Sequence, residues 1–368
     1  MKLKKHIAFF QITYNNYPTK IMKLHYFTML FVLMSAFTLQ TTTAQSFKTA
    51  NAYLTFIGKE NTKISKSMWK YTKSVAHSKS ARRIEGDRKR LIKSVERAMI
   101  KIKNAQPFKG EEAYKTQVLD YMELRMNILK NDYANIVDMK EVAEQSYDFM
   151  EAYILAQKKV DERMQQAQES YETALEAYAA RNNIQLIESE TELGKKMEIS
   201  NKVFDHRNDV YLVFFKSNIQ ETFLLNGLSK GDISAMQQNL NALQNFAKEG
   251  MQDLDTVTMY KEDTSLIKAT KKALEFYLEE TQNEMPKLVE FFLLSEKFTA
   301  IKDAIDKKKP KDRTKKDVDQ YNKMVNDYNN AVNDFNKTNE QLNKKRTKII
   351  NEWNQASAKF LSRHIPKE

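Results

Sequence analysis

Between residues 318 and 360, apolar side chains recur at alternating intervals of three and four residues. In an α-helix this spacing places them along one side, and it is typical of helices that pack lengthwise as coiled coils. Such a helix must lie along a partner, either in the same chain or, by self-association through residues 318–360, in a second copy. The stripe consists of Val318, Tyr321, Val325, Tyr328, Val332, Phe335, Leu342, Ile349, Trp353, Ala356 and Phe360.

Two polar residues, Asn339 and Arg346, occupy positions within this stripe. Polar residues in a helix seam often fix the register of the paired helices. We favour the alternative that the stripe opens to water at these two positions.

The same helical periodicity extends through the chain from residue 45 onward, and residues that form turns are scarce. Only 7 Gly and 5 Pro occur in 368 residues, whereas compact β and α/β folds need many more turns. We therefore predict an all-α protein of elongated antiparallel bundles with long coiled-coil-like helices. An N-terminal bundle is expected at residues 45–190 and a C-terminal bundle at residues 191–368.

The two bundles are either diverged tandem modules or two helical arrays with a chance similarity. Residues 211–215 and 53–57 share an aromatic and aliphatic pattern, but periodic matches are weak evidence. Residues 302–317 are predicted as a basic, solvated insertion, because dense like charge and Pro310 disfavour packing.

The first 44 residues have the plan of an export signal. Residues 22–44 contain a basic start, an apolar run and small residues before Gln45, which predicts a cleaved signal peptide. The apolar run is about 14 residues, shorter than the ~20 of a spanning helix, so we expect no membrane span after cleavage; an uncleaved anchor is the alternative. Residues 1–21 are interpreted as an extension from a misassigned start, with translation beginning at Met22.

Signatures of catalysis and of metal binding are missing from the sequence. The chain has no Cys, no His-Glu-x-x-His motif, no Glu-x-x-His pair and no glycine-rich phosphate loop. We predict no catalytic residues, no metal site and no cofactor. The cluster of Asp205, His206 and Asp209 is interpreted as surface decoration, because it lacks further ligands nearby. A hydrolase that uses paired carboxylates is the least favoured class.

The segment from Lys79 to Lys103 carries ten basic and three acidic residues. At 100° per residue, four of the basic residues share the helix face opposite the apolar side: Arg82, Lys89, Lys93 and Arg97. This face is a candidate for binding an anion or an anionic polymer, and a merely solvated face is the alternative. No aromatic residues interleave the bases, so a nucleic-acid partner is not expected.

Two arginines, Arg88 and Arg125, fall on the apolar side of their helices. By position along an antiparallel bundle, both lie near the level of Trp69 and Tyr153. We predict an internal polar layer of these four residues, because a buried guanidinium needs partners. The alternatives are guanidinium groups that reach solvent or stack on the two aromatic rings.

Two segments resemble a known family. Trp69, residues 76–83 (AHSKSARR) and residues 139–153 (MKEVAEQSYDFMEAY) are similar to the leptospiral-type bacterial surface protein family. This family comprises secreted helical proteins of uncharacterised function, and the similarity covers about residues 53–180. The resemblance implies a periplasmic or cell-surface location in a bacterium with an outer membrane, and it implies no reaction.

Together these features predict a secreted, non-enzymatic helical scaffold or interaction protein, with another protein or an envelope component as its partner. The alternative is a helical bundle that binds an anion or a small ligand through Arg88 and Arg125.

Overall fold

The computed structural model describes residues 45–78, 80–132, 143–186 and 191–367. The described part contains α-helices and no β-strand, which confirms the predicted all-α fold. The predicted signal peptide lies outside the described residues. The helices are α1 (Ala50–His77), α2 (Ala81–Asn104), α3 (Glu112–Asn127), α4 (Tyr147–Arg181), α5 (Glu192–Lys230), α6 (Ile233–Thr256), α7 (Ser265–Glu279), α8 (Met285–Asp306) and α9 (Lys315–His364).

Side-chain caps begin several of these helices. A cap oxygen accepts a hydrogen bond from a free amide of the first turn, which would otherwise have no partner. Ser80 caps α2 in this way, and Thr49 caps α1. Thr314 and Asp317 form a reciprocal capping box at the start of α9. Gly231, in the left-handed conformation, ends α5 and allows the tight turn into α6.

The N-terminal core lies between α2, α3, the first half of α1 and the second half of α4. Tyrosine rings form much of it: Tyr114 lies 4.9 Å from Tyr178 and 6.3 Å from Tyr53 between ring centroids. The fully buried residues of this core include Tyr53, Ile57, Ile64, Leu91, Val95, Ile102, Tyr114, Val118, Met122 and Tyr178.

The C-terminal core lies between α5, α6, α7, α8 and α9. Trp353 of α9 stacks on Phe214 of α5 at 4.3 Å and donates an indole hydrogen bond of 2.9 Å to Thr270 of α7. The apolar stripe of α9 packs mainly against α7 and α8 of the same chain. The buried apolar residues of α9 include the stripe residues Phe335, Leu342, Trp353 and Phe360, and also Met324, which lies beside the predicted stripe.

Two long helices contribute to more than one core. Trp69, in the second half of α1, belongs to the C-terminal core. Met150, near the start of α4, packs with Phe215 and Ile219 of α5 in a third, smaller cluster. The predicted boundary at residue 190 falls between α4 and α5. However, α1 and α4 pack against helices that precede this boundary and against helices that follow it. A repeat relationship between the two halves stays a prediction.

A wide turn joins α7 to α8 without breaking the helical path. Residues Glu280–Glu284 form a π-helical turn, and Pro286 follows in the first turn of α8, where its missing amide proton costs no hydrogen bond. Residues 302–317 were predicted to be a solvated insertion. The first of these residues belong to α8 and the last to α9, and the connection between the two helices spans residues 307–314. That this segment is an insertion stays a prediction.

Replacement of Trp353 by Ala should destabilise the protein by about 3–5 kcal/mol, because it removes a buried ring and the hydrogen bond to Thr270. Urea unfolding followed by circular dichroism measures the change. The matched control is Phe149→Ala, which truncates a ring that is 52% exposed and should change stability by no more than about 0.5 kcal/mol. Equal losses for both variants would contradict the assigned core.

Candidate functional site

A groove with a volume of about 410 Å³ runs between α1 and α2. Burial of Leu91, Val95 and Ile102 holds α2 against the N-terminal core and fixes which of its side chains flank α1. The groove is lined by Glu60, Lys63 and Ser67 of α1 and by Arg90, Lys93, Ser94, Arg97 and Lys101 of α2. Five cations and one carboxylate give these residues a formal charge of five minus one, or +4. The groove therefore attracts anions.

A buried carboxylate closes one end of the groove. Glu60 is 5% exposed, and it accepts hydrogen bonds from Lys63 at 2.6 Å and from Lys101 at 3.1 Å. Burial alone would raise the pKa of the Glu60 carboxyl, but the two lysines outweigh burial and hold this pKa below its ordinary value. Glu60 is thus ionised at neutral pH and forms ion pairs with two of the five cations, Lys63 and Lys101.

A second buried carboxylate lies near the other end. Asp87 is 2% exposed, and its Oδ1 accepts hydrogen bonds from Nε and Nη2 of Arg90 at 3.1 and 2.5 Å. The ammonium of Lys70 lies 3.9 Å from the same oxygen. Arg90 is therefore held in place and partly neutralised within its own helix.

The central cations of the groove lack such partners. In the described part of the chain, no carboxylate lies within ion-pair distance of Lys93 or Arg97. Both side chains are exposed, and they lie one helical turn apart on α2. These are two of the four residues that the sequence singles out as an anion-binding face.

The other two predicted residues lie outside the groove. Arg82 and Lys89 are exposed, and neither lines it. The ammonium of Lys89 is 3.6 Å from Glu85, one turn earlier on α2. The predicted basic face is thus divided, and α1 supplies Lys63 and Ser67, which the sequence analysis did not identify. One sequence feature does point to this side of α1. Glu60 falls at a position that continues the spacing of the buried residues Tyr53, Ile57 and Ile64, so a charged residue is expected to be buried there with cationic partners.

Arg88 is engaged within the N-terminal bundle. Its guanidinium donates two hydrogen bonds to Glu85, at 2.8 and 2.9 Å, and one of 2.9 Å to the carbonyl oxygen of Leu129. The hydrogen bonds to Glu85 raise the pKa of Arg88 above its ordinary value. This guanidinium links α2 to the turn at Ile128–Asp132 that follows α3.

The structure does not bring Trp69, Arg88, Arg125 and Tyr153 together in one layer. Arg125 is buried, and its guanidinium lies over the ring of Tyr121 at 5.3 Å. Trp69 packs in the C-terminal core, and Tyr153 packs in the cluster between α4 and α5. Arg125 thus stacks on an aromatic ring, as one alternative proposes, but the ring is a tyrosine of its own helix.

Arg346 corrects the expectation that the stripe of α9 opens to water there. It is 6% exposed and donates hydrogen bonds to Glu221 of α5 and Glu280 of the π-turn. Asn343 accepts a further bond of 2.6 Å from the same guanidinium. The stripe stays closed because these three acceptors, each from a helix packed on α9 or from α9 itself, satisfy the buried charge.

The two carboxylates around Arg346 are enclosed. Glu221 is 2% exposed and Glu280 is fully buried. Burial and the nearby charge of Glu221 raise the pKa of the Glu280 carboxyl well above its ordinary value, against the opposing effect of Arg346. The cluster links α5, the π-turn and α9.

His206 is a core residue and not part of a surface cluster with Asp205 and Asp209. Its ring is 8% exposed and packs on Phe360 at 5.2 Å, while the two aspartates are exposed. Burial lowers the pKa of His206 below its ordinary value. Within the described residues, no group of three or more His, Cys, Asp or Glu side chains is placed to hold a metal ion.

Comparisons with protein-family models, with curated proteins and with solved structures found no match to this chain. Among the residues that the structure describes, no helix is both long enough and apolar enough to cross a membrane.

Replacement of Arg346 by Met should destabilise the protein by about 3–5 kcal/mol, because it leaves two carboxyl groups buried without a counter-charge. Urea unfolding measures the loss. The triple variant E221Q/E280Q/R346M removes every ionisable group of the cluster and should recover most of the stability. A loss below about 1 kcal/mol for R346M alone would contradict the role assigned to this cluster.

The raised pKa of Glu280 also predicts a pH dependence. A carboxyl group whose pKa is higher in the folded than in the unfolded state contributes stability below its ordinary pKa, and this contribution is lost as the pH rises through the folded value. Glu280→Gln keeps the side chain neutral, so its stability relative to the wild type should increase over a pH range that starts at the ordinary carboxyl pKa of about 4. Urea unfolding across this range measures the difference. A difference that is constant with pH would show that Glu280 has the same pKa in both states.

Proposed function

We propose that this protein is an exported, non-enzymatic helical interaction protein that holds an anionic component of the bacterial envelope in the groove between α1 and α2. The observation that carries the proposal is the formal charge of +4 in a concave surface whose two central cations have no carboxylate partner in the described chain. The core of the N-terminal bundle fixes both walls, so the site is formed before a ligand arrives.

Two other charged clusters, around Arg346 and Arg88, support a binding role over a catalytic one. Arg346 and its two carboxylates are enclosed by packed helices, and the guanidinium of Arg88 is engaged by Glu85 and Leu129. These contacts also weigh against the alternative of a small ligand bound by internal arginines. The export part of the proposal rests on the signal-like residues 22–44 and on the resemblance to secreted bacterial surface proteins.

Sedimentation with purified envelope fragments tests this function. The wild type should be retained, and retention should fall between about 50 and about 200 mM salt, because the contacts are ionic. Removing the two central charges with K93Q/R97Q should lower the retained fraction by more than about half.

The matched control is R82Q/K89Q, which removes the same charge from the same helix outside the groove. It should be retained as well as the wild type. No retention of the wild type, or equal losses for the two double variants, would refute the groove as the envelope-binding site.

A further inference from the structure

The central part of the groove concentrates hydrogen-bond donors. Lys93 supplies three N–H donors and Arg97 five, and neither is neutralised by a carboxylate in the described chain. Side chains four residues apart on a helix are neighbours, so both cations can contact one bound group. Ser94 lies beside Lys93 on α2, and Ser67 faces them from α1, where its hydroxyl donates to the carbonyl oxygen of Lys63 at 3.0 Å.

This set of donors fits phosphate better than carboxylate. The fork of one arginine takes both oxygens of a carboxylate, which would leave Lys93 and Ser94 with little to bind. A phosphate group offers more oxygens in a tetrahedral arrangement, so the guanidinium, the ammonium and the hydroxyl can each contact a different one.

The groove is longer than a single phosphate group. Its lining on α2 runs from Arg90 to Lys101, which is about 16 Å at ~1.5 Å per residue. Cations occur along this whole distance, so a ligand with several anionic groups in a row fills the groove better than a single ion. Of the residues that the structure describes, no aromatic side chain lines the groove, so a nucleic acid would gain nothing there from stacked bases.

Glu60 limits how many of these cations an external ligand can use. Its buried carboxylate holds Lys63 and Lys101 at 2.6 and 3.1 Å, so a bound anion must compete with it for both. Glu60 thus acts as a built-in competitor at one end of the site.

We propose that the groove binds consecutive phosphate groups of a linear phosphate polymer, centred on Lys93 and Arg97, and that Glu60 weakens this binding by holding Lys63 and Lys101. The inference rests on the proposed function, since it names the anionic chemistry that the groove recognises.

Titration with inorganic polyphosphate tests the proposal, with orthophosphate, poly-glutamate and oligothymidylate of matched charge as comparisons. Polyphosphate should bind more tightly than each of them, and its affinity should rise with chain length until the groove is filled. K93Q/R97Q should weaken polyphosphate binding by about tenfold or more and reduce the slope of log affinity against log salt by about 2, one for each lost contact. R82Q/K89Q should change the affinity by no more than about twofold, because those residues lie outside the groove.

Glu60→Gln gives the complementary result. It frees Lys63 and Lys101, so it should tighten polyphosphate binding by about threefold to tenfold, a gain that misfolding cannot produce. Circular dichroism verifies that every variant is folded. Unchanged affinity in E60Q would overturn the role of Glu60 as a competitor.

Poly-glutamate bound as tightly as polyphosphate would overturn the phosphate assignment, and tighter binding of oligothymidylate would show that the ligand is a nucleic acid. These failures are distinct from failure of the proposed function. If K93Q/R97Q loses retention on envelope fragments while polyphosphate shows no preference, envelope binding stands and the phosphate assignment falls.

Discussion

The apolar stripe of α9, from Val318 to Phe360, has to be covered along a length of about 63 Å. In this structure α7 and α8 supply most of the cover as one nearly continuous helix, and α5 and α1 add the rest. Because this arrangement leaves α9 in contact with four helices of its own chain, any polar side chain in the stripe must find its partner among them or on the turn that joins α7 to α8. The enclosed pairing of Arg346 with Glu221 and Glu280 follows from that requirement.

The periodicity of apolar residues, together with the scarcity of Gly and Pro, was enough to predict the all-α fold. The state of Arg346 was not predictable in the same way. Its partner Glu221 is 125 residues away in sequence, and Glu280 reaches it from a π-turn that no spacing rule anticipates. A charged residue at a stripe position shows that a partner is needed, but only the packing of distant helices shows which one.

The groove illustrates the same limit. The helical wheel of α2 identified Lys93 and Arg97, but it grouped them with Arg82 and Lys89, which the structure leaves outside. The difference depends on how α1 lies across α2, and that depends on core contacts such as Leu91 and Val95. Glu60 neutralises Lys63 and Lys101 at one end of the groove, and the central cations Lys93 and Arg97 keep their charge available.

The sharing of α1 and α4 between cores has a consequence for how the molecule unfolds. Loss of the N-terminal core would release the first half of α1, and Trp69 in its second half would then lose its support in the C-terminal core. Met150 and its neighbours on α4 pack against α5, so loss of α4 would also remove packing contacts from α5. The two bundles are therefore coupled into one cooperative unit, in which neither half of the chain retains its full set of packing partners when the other is removed.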